Sequence, residues 1–440
     1  MTLDERLQHV AVLGAGGKMG RGISLLLARE MTLQRLRANR PHRLILMDVA
    51  PAALEGLKGY LRKQSRRYAL KNGASLQELY GPVPDEEALA DQFAEDVLAT
   101  VKTTTNLEDV APALMVFEAI LEKLDLKISV YSQLRELCAG DTFFFSNTSS
   151  IPLAQLDEAA GLGGRLIGFH FYNPPAVQKL VELITPASVQ PELPEIAREL
   201  GQRLGKKLIP ANDVAGFIGN GHFMRDGLFG LSLAERLSEE LSPVQSVYVV
   251  NRVSQDYLIR PMGIFQLIDY VGIDVFQLIL KIMEPHFPDE HLHSTWIDEM
   301  INRGVKGGQN PDGSQKNGFL KYESGQISAV FDRSAGRYVS LNEGKWKAQA
   351  DEWLGAPPPG QIPWKAMLKD PEKEARLRAY FKELSDNPAN GAKLAIEYLK
   401  RSREIGEQLL SSGVANSAQD VNGVLMYGFY HLYGPINDFV

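Results

Sequence analysis

The feature that most constrains this chain lies near its start. The apolar run His9-Val10-Ala11-Val12-Leu13 breaks into Gly14-Ala15-Gly16-Gly17-Lys18-Met19-Gly20 and resumes with helical spacing in ISLLLARE. A strand that feeds a helix through glycines belongs to α/β folds. It brings backbone N–H groups and the positive end of a helix dipole to one point, where a pyrophosphate can bind. Gly14, Gly16 and Gly20 stand as G-x-G-x-x-x-G, one residue longer than the usual dinucleotide fingerprint, and taken alone the segment also reads as an ordinary tight turn. A second apolar strand, Arg43 to Met47, ends on Asp48. A carboxylate there accepts hydrogen bonds from ribose hydroxyls and repels a 2′-phosphate, which favours NAD over NADP. Arg35, Arg37, Arg40 and Arg43 lie just upstream and are read as the solvated loop of an enlarged helix-to-strand connection.

Further short strands are predicted in VLATVKTTT, ALMVFEAI, TFFFSN, RLIGFHF and KLVELI, with helical segments such as KLDLKISVYSQLRELCAG between most of them. This alternation implies a largely parallel sheet covered on both faces. After KKLIPANDVAG the texture changes to long helical stretches with few strand candidates, so an all-helical second domain is predicted from residue 212. A third region follows GFLKYESG, crosses the turn-rich Ala356-Pro357-Pro358-Pro359-Gly360 and returns to helices. Its last segment, NSAQDVNGVLMYGFYHLYGPINDF, reads as a degraded copy of SPVQSVYVVNRVSQDYLIRPMGIFQLID. Each has a polar cap, an apolar helix and a glycine turn leading to an aspartate. The predicted division is 1–211, 212–330 and 331–440. For 440 residues, two or three domains agree with roughly 100 to 200 residues per domain.

Composition narrows the functional classes. At 44% hydrophobic and 23% charged residues the chain is of ordinary globular type. A net charge of −7 argues against a protein that coats nucleic acid. The single cysteine, Cys138, can build neither an intramolecular disulfide nor a multi-thiolate zinc site; a reducing cytoplasm is expected, and no metal. The first residues lack the pattern of a secretory leader, and no run reaches the ~18 apolar residues of a membrane span.

Two constellations carry candidate chemistry. FSNTSS, Phe145 to Ser150, closes an apolar strand and would face a cofactor crevice with hydroxyls and an amide; it reads equally well as a helix cap. The other is His170, near the end of RLIGFHF, with Glu182 inside KLVELI. Strand alternation points Leu180, Glu182 and Ile184 to one face, and a carboxylate among apolar neighbours is costly to bury unpaired. Pairing with an imidazole removes that cost and makes a general base, since the carboxylate fixes the tautomer and stabilises the imidazolium. For an isolated His and Glu, the competing reading is a structural histidine and an edge carboxylate.

Together these motifs closely resemble the 3-hydroxyacyl-CoA dehydrogenase family, from about residue 8 to residue 323. VFEAILEKLDLK, SNTSSIPL, GFHFYNPPAVQKLVELI, DVAGFIGN and RPMGIFQLIDYVGID each look like one of its signature segments and occur in order. The resemblance implies an α/β Rossmann-type dinucleotide-binding domain followed by an all-α, 6-phosphogluconate-dehydrogenase-like domain, with NAD as cofactor. It implies His170 as base with Glu182 as its carboxylate, Ser149 near the reacting oxygen and cofactor, and Asn220 completing the site. It further implies Glu122, Lys127, Asn173 and Lys316 along the cofactor. The implied reaction is reversible oxidation of a 3-hydroxyacyl-CoA to a 3-ketoacyl-CoA. The basic stretch holding Arg62, Arg66, Arg67 and Lys71 would meet the CoA phosphates, although it also reads as a solvated helix face. Longer members of the family carry tandem helical domains and often continue into an enoyl-CoA hydratase domain. This chain stops at Val440 without one, so a monomer through internal duplication, or a homodimer, is expected, with hydratase as a separate partner. Two alternatives stay open: a β-hydroxyacid dehydrogenase acting on a non-CoA substrate, and a non-catalytic NAD-binding relative.

Overall fold

A computed structural model describes residues 1–81, 83–310 and 313–440 of the chain. They form two compact units, Met1–Val214 and Ala215–Val440.

In the first unit, α1 (Leu3–Arg6), β1 (His9–Leu13), α2 (Gly20–Ala38) and β2 (Arg43–Met47) lead into three helices, α3 (Pro51–Lys71), α4 (Gly73–Tyr80) and α5 (Glu86–Thr100). Then follow β3 (Val101–Thr104), β4 (Met115–Glu118), α6 (Leu124–Leu137), β5 (Phe143–Ser146), α7 (Leu153–Ala160), β6 (Leu166–Phe171), β7 (Leu180–Ile184), α8 (Glu192–Arg203) and β8 (Lys207–Ala211). The eight strands make one sheet in the order β3-β2-β1-β4-β5-β6-β7-β8. The six strands from β3 to β6 in that order are parallel; β7 runs against β6, and β8 follows the direction of β7. The order reverses between β1 and β4, so the ligand crevice of such a sheet lies beyond the carboxyl ends of those strands.

Alternation along the strands separates two chemistries. Phe117, Phe145, Phe169 and Phe171 share one face and pack as an aromatic layer, with Phe117 and Phe145 stacked at 4.6 Å between ring centroids. The register of β4, β5, β6 and β7 puts Glu118, Ser146, Gly168, His170 and Glu182 on the opposite face. The aromatic layer fixes the sheet, and the other face carries a buried polar row.

The upstream arginines differ from expectation. α2 runs on to Ala38, so Arg35 and Arg37 are helical, and Arg35 is tied to Asp96 of α5 at 2.6 Å. Arg43 opens β2. Only Arg40 of the four lies in the connection, residues 39–42, so the extra length before β2 is carried by α2 rather than by a solvated loop.

The second unit begins with α9 (Phe217–Leu237), α10 (Pro243–Arg252), a π-helical turn (Val253–Tyr257), α11 (Ile264–Val271), α12 (Ile273–Met283) and α13 (Thr295–Asn302). It is not all-helical as expected. β9 (Leu320–Glu323), β10 (Gln326–Asp332) and β11 (Arg337–Ser340) form a three-stranded antiparallel sheet. Ser324 and Gly325 both have positive φ, 50° and 78°, as a two-residue type I′ hairpin requires. The chain ends with α14 (Trp346–Leu354), α15 (Trp364–Met367), α16 (Lys373–Asp386), α17 (Asn390–Ser411) and α18 (Ala418–Gly428). The boundary drawn at 330 falls inside β10. Residues after it do not form a body of their own, because α17 and α18 pack on α9 and share its apolar core.

Candidate functional site

The glycine turn is held by its neighbours before any ligand is considered. Gly14 has φ +70°, and a Cβ there would meet Ala119 O at 2.5 Å; one on Gly20 would meet Gly14 O at 1.9 Å. These contacts force glycine at both positions and bring the start of α2 against the end of β1. Gly16 N donates to Asp48 Oδ2 at 2.9 Å, and Ala50 N donates to Oδ1 at 3.0 Å. Asp48 therefore stands at the mouth of the turn with its carboxylate oriented by backbone. Beside it Val49 is 82% exposed, and Leu121, just past β4, is 67% exposed. Apolar side chains left bare at the carboxyl ends of these strands suit the flat face of an adenine, so the residues present fit a dinucleotide.

Glu122 organises the next part of the site. Its Oε1 accepts hydrogen bonds from Thr148 Oγ1 at 2.6 Å, Ser149 N at 2.9 Å and Ser150 N at 3.2 Å. SNTSS is thus pinned as a loop by a carboxylate 26 to 28 residues upstream. Burial would raise the Glu122 carboxyl, but Lys127 and the bonds from Thr148 and Ser149 outweigh it and hold the group below its usual range. Lys127 Nζ lies 2.6 Å from Glu118 Oε1 and 3.2 Å from Glu122 Oε2, with its side chain only 1% exposed. This corrects the expectation of a lysine lining the cofactor directly. Its ammonium is enclosed between two carboxylates and supports the loop from below.

Glu118, which the sequence did not single out, is the hub of that support. Its Oε2 also accepts from Ser146 Oγ at 2.7 Å and Tyr131 OH at 3.2 Å, and its Oε1 accepts from Ile120 N at 2.9 Å. A readable signal existed: Glu118 is a carboxylate in an otherwise apolar strand, the argument already applied to Glu182.

His170 and Glu182 face each other across the antiparallel pair of β6 and β7, with Nδ1 3.1 Å from Oε1. Glu182 is fully buried and His170 nearly so. Tyr172 OH donates to the same Glu182 Oε1 at 2.7 Å. Asn147 Oδ1 accepts from Phe171 N at 2.9 Å and ties the SNTSS loop to the end of β6. Ser149 and Asn173 are both half-buried, on either side of that tie.

The expected CoA-binding set divides. Arg62 pairs with Glu95 at 2.9 Å, and Arg66 pairs with Asp91 at 2.7 Å and with Glu87. Both arginines turn toward the acidic face of α5, so their charge is already compensated. Lys63, Arg67 and Lys71, spaced four apart, form the exposed basic row of α3 instead.

Asn220 and Lys316 belong to the second unit. Asn220 is half-buried in the first turn of α9, and Lys316 is exposed, with its backbone N–H donating to Gly308 O at 2.9 Å. The segment after Lys316 is fastened by Asp269, which accepts from Phe319 N at 2.7 Å, Leu320 N at 2.9 Å and Tyr322 OH at 2.9 Å. Burial pushes the Asp269 carboxyl up to about 7 against those donors. Among the described residues no cluster of His, Cys, Asp and Glu is arranged to hold a metal, and no helix is long and apolar enough to cross a membrane.

The sequence profile for the 3-hydroxyacyl-CoA dehydrogenase NAD binding domain matches residues 9–214, and that for the family's C-terminal domain matches residues 239–317. Mitochondrial hydroxyacyl-coenzyme A dehydrogenase of Sus scrofa is 30% identical over 276 residues, 62% of this chain and 79% of that protein. The Homo sapiens protein of the same name is 29% identical over 321 residues, 72% of this chain and 92% of that one. A crystal structure of 3-hydroxybutyryl-CoA dehydrogenase from Escherichia coli K12 superposes with a TM-score of 0.65 at 21% identity, covering 98% of this chain and 90% of that one. That coverage takes in the region after residue 330, whose fold is thus shared. Such agreement in sequence and fold, over both units, makes the chain an NAD-dependent oxidoreductase belonging to the 3-hydroxyacyl-CoA dehydrogenase family.

Proposed function

We propose that this enzyme oxidises a 3-hydroxyacyl-CoA to the 3-ketoacyl-CoA, with His170 as the base and Glu182 as its partner. The observation that carries the reading is the contact of Nδ1 with Oε1 across a buried strand pair at the carboxyl side of the sheet. With the Nδ1 proton directed to Glu182, the Nε2 lone pair is left for the substrate hydroxyl. NAD, when bound, accepts the hydride from C3. His170 takes the hydroxyl proton as the C–O bond becomes a carbonyl, and the buried carboxylate stabilises the resulting imidazolium. Ser149, on a loop fixed by Glu122, supplies a hydroxyl to substrate and cofactor, and Asn173 an amide. Asp48 holds the ribose, and the row of Lys63, Arg67 and Lys71 offers charge to the CoA phosphates.

The test is NADH formation with 3-hydroxyacyl-CoA substrates of graded chain length, beside the corresponding free hydroxyacids. Turnover of the thioesters and not the free acids is expected. His170→Gln should lower kcat/KM by about a hundred- to ten-thousand-fold while NADH binding by fluorescence persists. Near-normal turnover in that variant would remove His170 from the mechanism.

We further propose that the region after residue 330 contains a degenerate second copy of the helical domain. Ser242 caps α10 and Ser417 caps α18, each after a helix of similar length, 21 residues in α9 and 22 in α17. Beyond each short helix comes a non-glycine residue of positive φ, Ile259 at 47° and Tyr430 at 57°, followed by Arg260 and His431. The contacts between copies are reciprocal: α18 lies on α9, and the π-helical turn lies on α17. Reciprocity of this kind marks a two-fold interface, here within one chain.

A further inference from the structure

The reading above leaves Tyr172 without a task, although its hydroxyl reaches the carboxylate oxygen that faces the imidazole. Tyr172 OH lies 2.7 Å from Glu182 Oε1 and His170 Nδ1 lies 3.1 Å from the same atom, with the two rings 5.0 Å apart and tilted by 42°. We propose that Tyr172 is a positioning residue that sets the pH at which His170 becomes available as a base, by sharing Glu182 Oε1 with the imidazole. The proposal rests on His170 being the base.

The phenol and the imidazole compete for one carboxylate oxygen. A carboxylate oxygen that accepts a short O–H bond has part of its charge committed and offers less to an imidazolium beside it. The phenol makes the shorter of the two contacts. Burial and the charge of Glu182 push the phenol well above its usual range, so Tyr172 remains a donor wherever the base works. The effect favours the neutral imidazole, the form that accepts the substrate proton, and keeps it available to lower pH.

The other groups around the pair in the first unit are arranged differently. β7 contributes Glu182 itself, β5 contributes the uncharged Ser146 on the same face, and Asn147 of the following loop is bonded to Phe171 N. On β8, Lys207 pairs with Leu180, two residues along from the Ile209 that pairs with Glu182. Glu122 and Glu118 are committed to Lys127, and Asp213 accepts from Leu153 N at 2.6 Å and Ala154 N at 2.7 Å. Lys206 reaches Pro175 O and Gln178 O on the aromatic side, 5.8 Å from the Phe171 ring centroid. Within the first unit, Tyr172 OH donates to the same oxygen that faces the imidazole.

Tyr172→Phe removes one hydroxyl and keeps the ring. The pair should then bind its first proton at higher pH, and the acid limb of kcat/KM for hydroxyacyl-CoA oxidation should move up by about half to one pH unit. The imidazole signal of His170, followed by NMR titration of the unliganded protein, should move in the same direction. This measurement decides the matter even if the variant turns over poorly. A thermal scan checks the fold. An acid limb and imidazole titration that coincide with wild type, or move down, overturn the proposal. His170→Gln, assayed alongside, separates the two ideas. If it is inactive while Tyr172→Phe titrates like wild type, only the role of Tyr172 falls; if it is fully active, the base assignment falls and this proposal with it.

Discussion

Lys127 sits between Glu118 and Glu122 with almost no access to water, and its worth depends on both partners remaining charged. Burial opposes the ammonium, yet the two carboxylates outweigh that opposition and raise its proton affinity. Removing one member of such a cluster strands the others. Lys127→Met should therefore cost about 3–5 kcal/mol in denaturant unfolding, and it should raise the NADH Kd as the 148–150 loop loosens. A loss of under 1 kcal/mol would mean that the carboxylates find protons or water instead. Asp48 differs because it is half-buried, its oxygens accept from Gly16 N and Ala50 N, and it is the carboxylate proposed to hold the ribose. Asp48→Ala should weaken NADH by about tenfold, the value of one charge-assisted bond, and narrow its preference over NADPH. The difference in legibility between these sites is physical. Strand alternation put Glu182 on a buried face where a carboxylate demands a partner, and the family resemblance singled out His170 as that partner. Lys127 could not be placed, because its burial depends on Glu118 nine residues earlier, brought back by a β-to-α turn whose geometry no local pattern states.

At the scale of elements, strands whose apolar runs sit between glycines and helices were legible, and those defined by pairing were not. β8 carries Pro210 and mixed exposure, and β9 to β11 straddle the boundary drawn at 330 between two regions expected to be helical. The Ser324-Gly325 turn was their readable signal, since two consecutive positive φ values favour such residues. The turn after His170 depends on a different element, the entry to β8. Lys206 Nζ donates to Pro175 O at 2.5 Å and to Gln178 O at 2.7 Å, and burial with nearby Arg29 lowers its pKa to about 8 from 10.5. A cation whose folded pKa is depressed is penalised in the folded state below that value. The penalty is relieved as pH rises from about 8 to 10.5, because the folded state releases its proton before the unfolded one. Wild type should accordingly gain stability relative to Lys206→Met across that window, measured by urea unfolding at a series of pH values. A constant difference would mean that Lys206 is solvated and its two carbonyl bonds contribute little.

At the scale of the whole molecule, the second unit closes around a polar knot between α9 and α17. Arg260 meets Asp226 at 2.9 Å and Ser402 Oγ at 3.2 Å, Tyr398 OH donates to Asp226 O at 3.0 Å, and His222 Nε2 lies 3.2 Å from Ser402 O. If the two halves are copies, this knot occupies the place of a subunit interface, and the protein should sediment as a monomer at micromolar concentration. A tight dimer would instead show that α9 has a further face to offer. On the proposed duplication, the two segments differ at the aspartate that ends the pattern. Asp269 is buried and fastens the segment after Lys316, whereas its counterpart in the repeat pattern, Asp438, is an exposed partner of Arg378 at 2.8 Å. Buried histidines also make the knot sensitive to acid. Burial lowers the proton affinity of both His222 and His431, with Asp226 opposing the effect at His222 and nearby Arg260 reinforcing it at His431. In the unfolded chain these histidines take up protons near 6.5, while in the folded chain they do so only at lower pH. Stability should therefore fall as pH drops below about 6.5, where the unfolded state binds more protons. His222→Gln retains a donor toward Ser402 and cannot be charged, so its stability should decline less steeply between pH 6.5 and 5 than that of wild type. Equal slopes in that comparison would place the acid sensitivity elsewhere, leaving the knot with a purely architectural role.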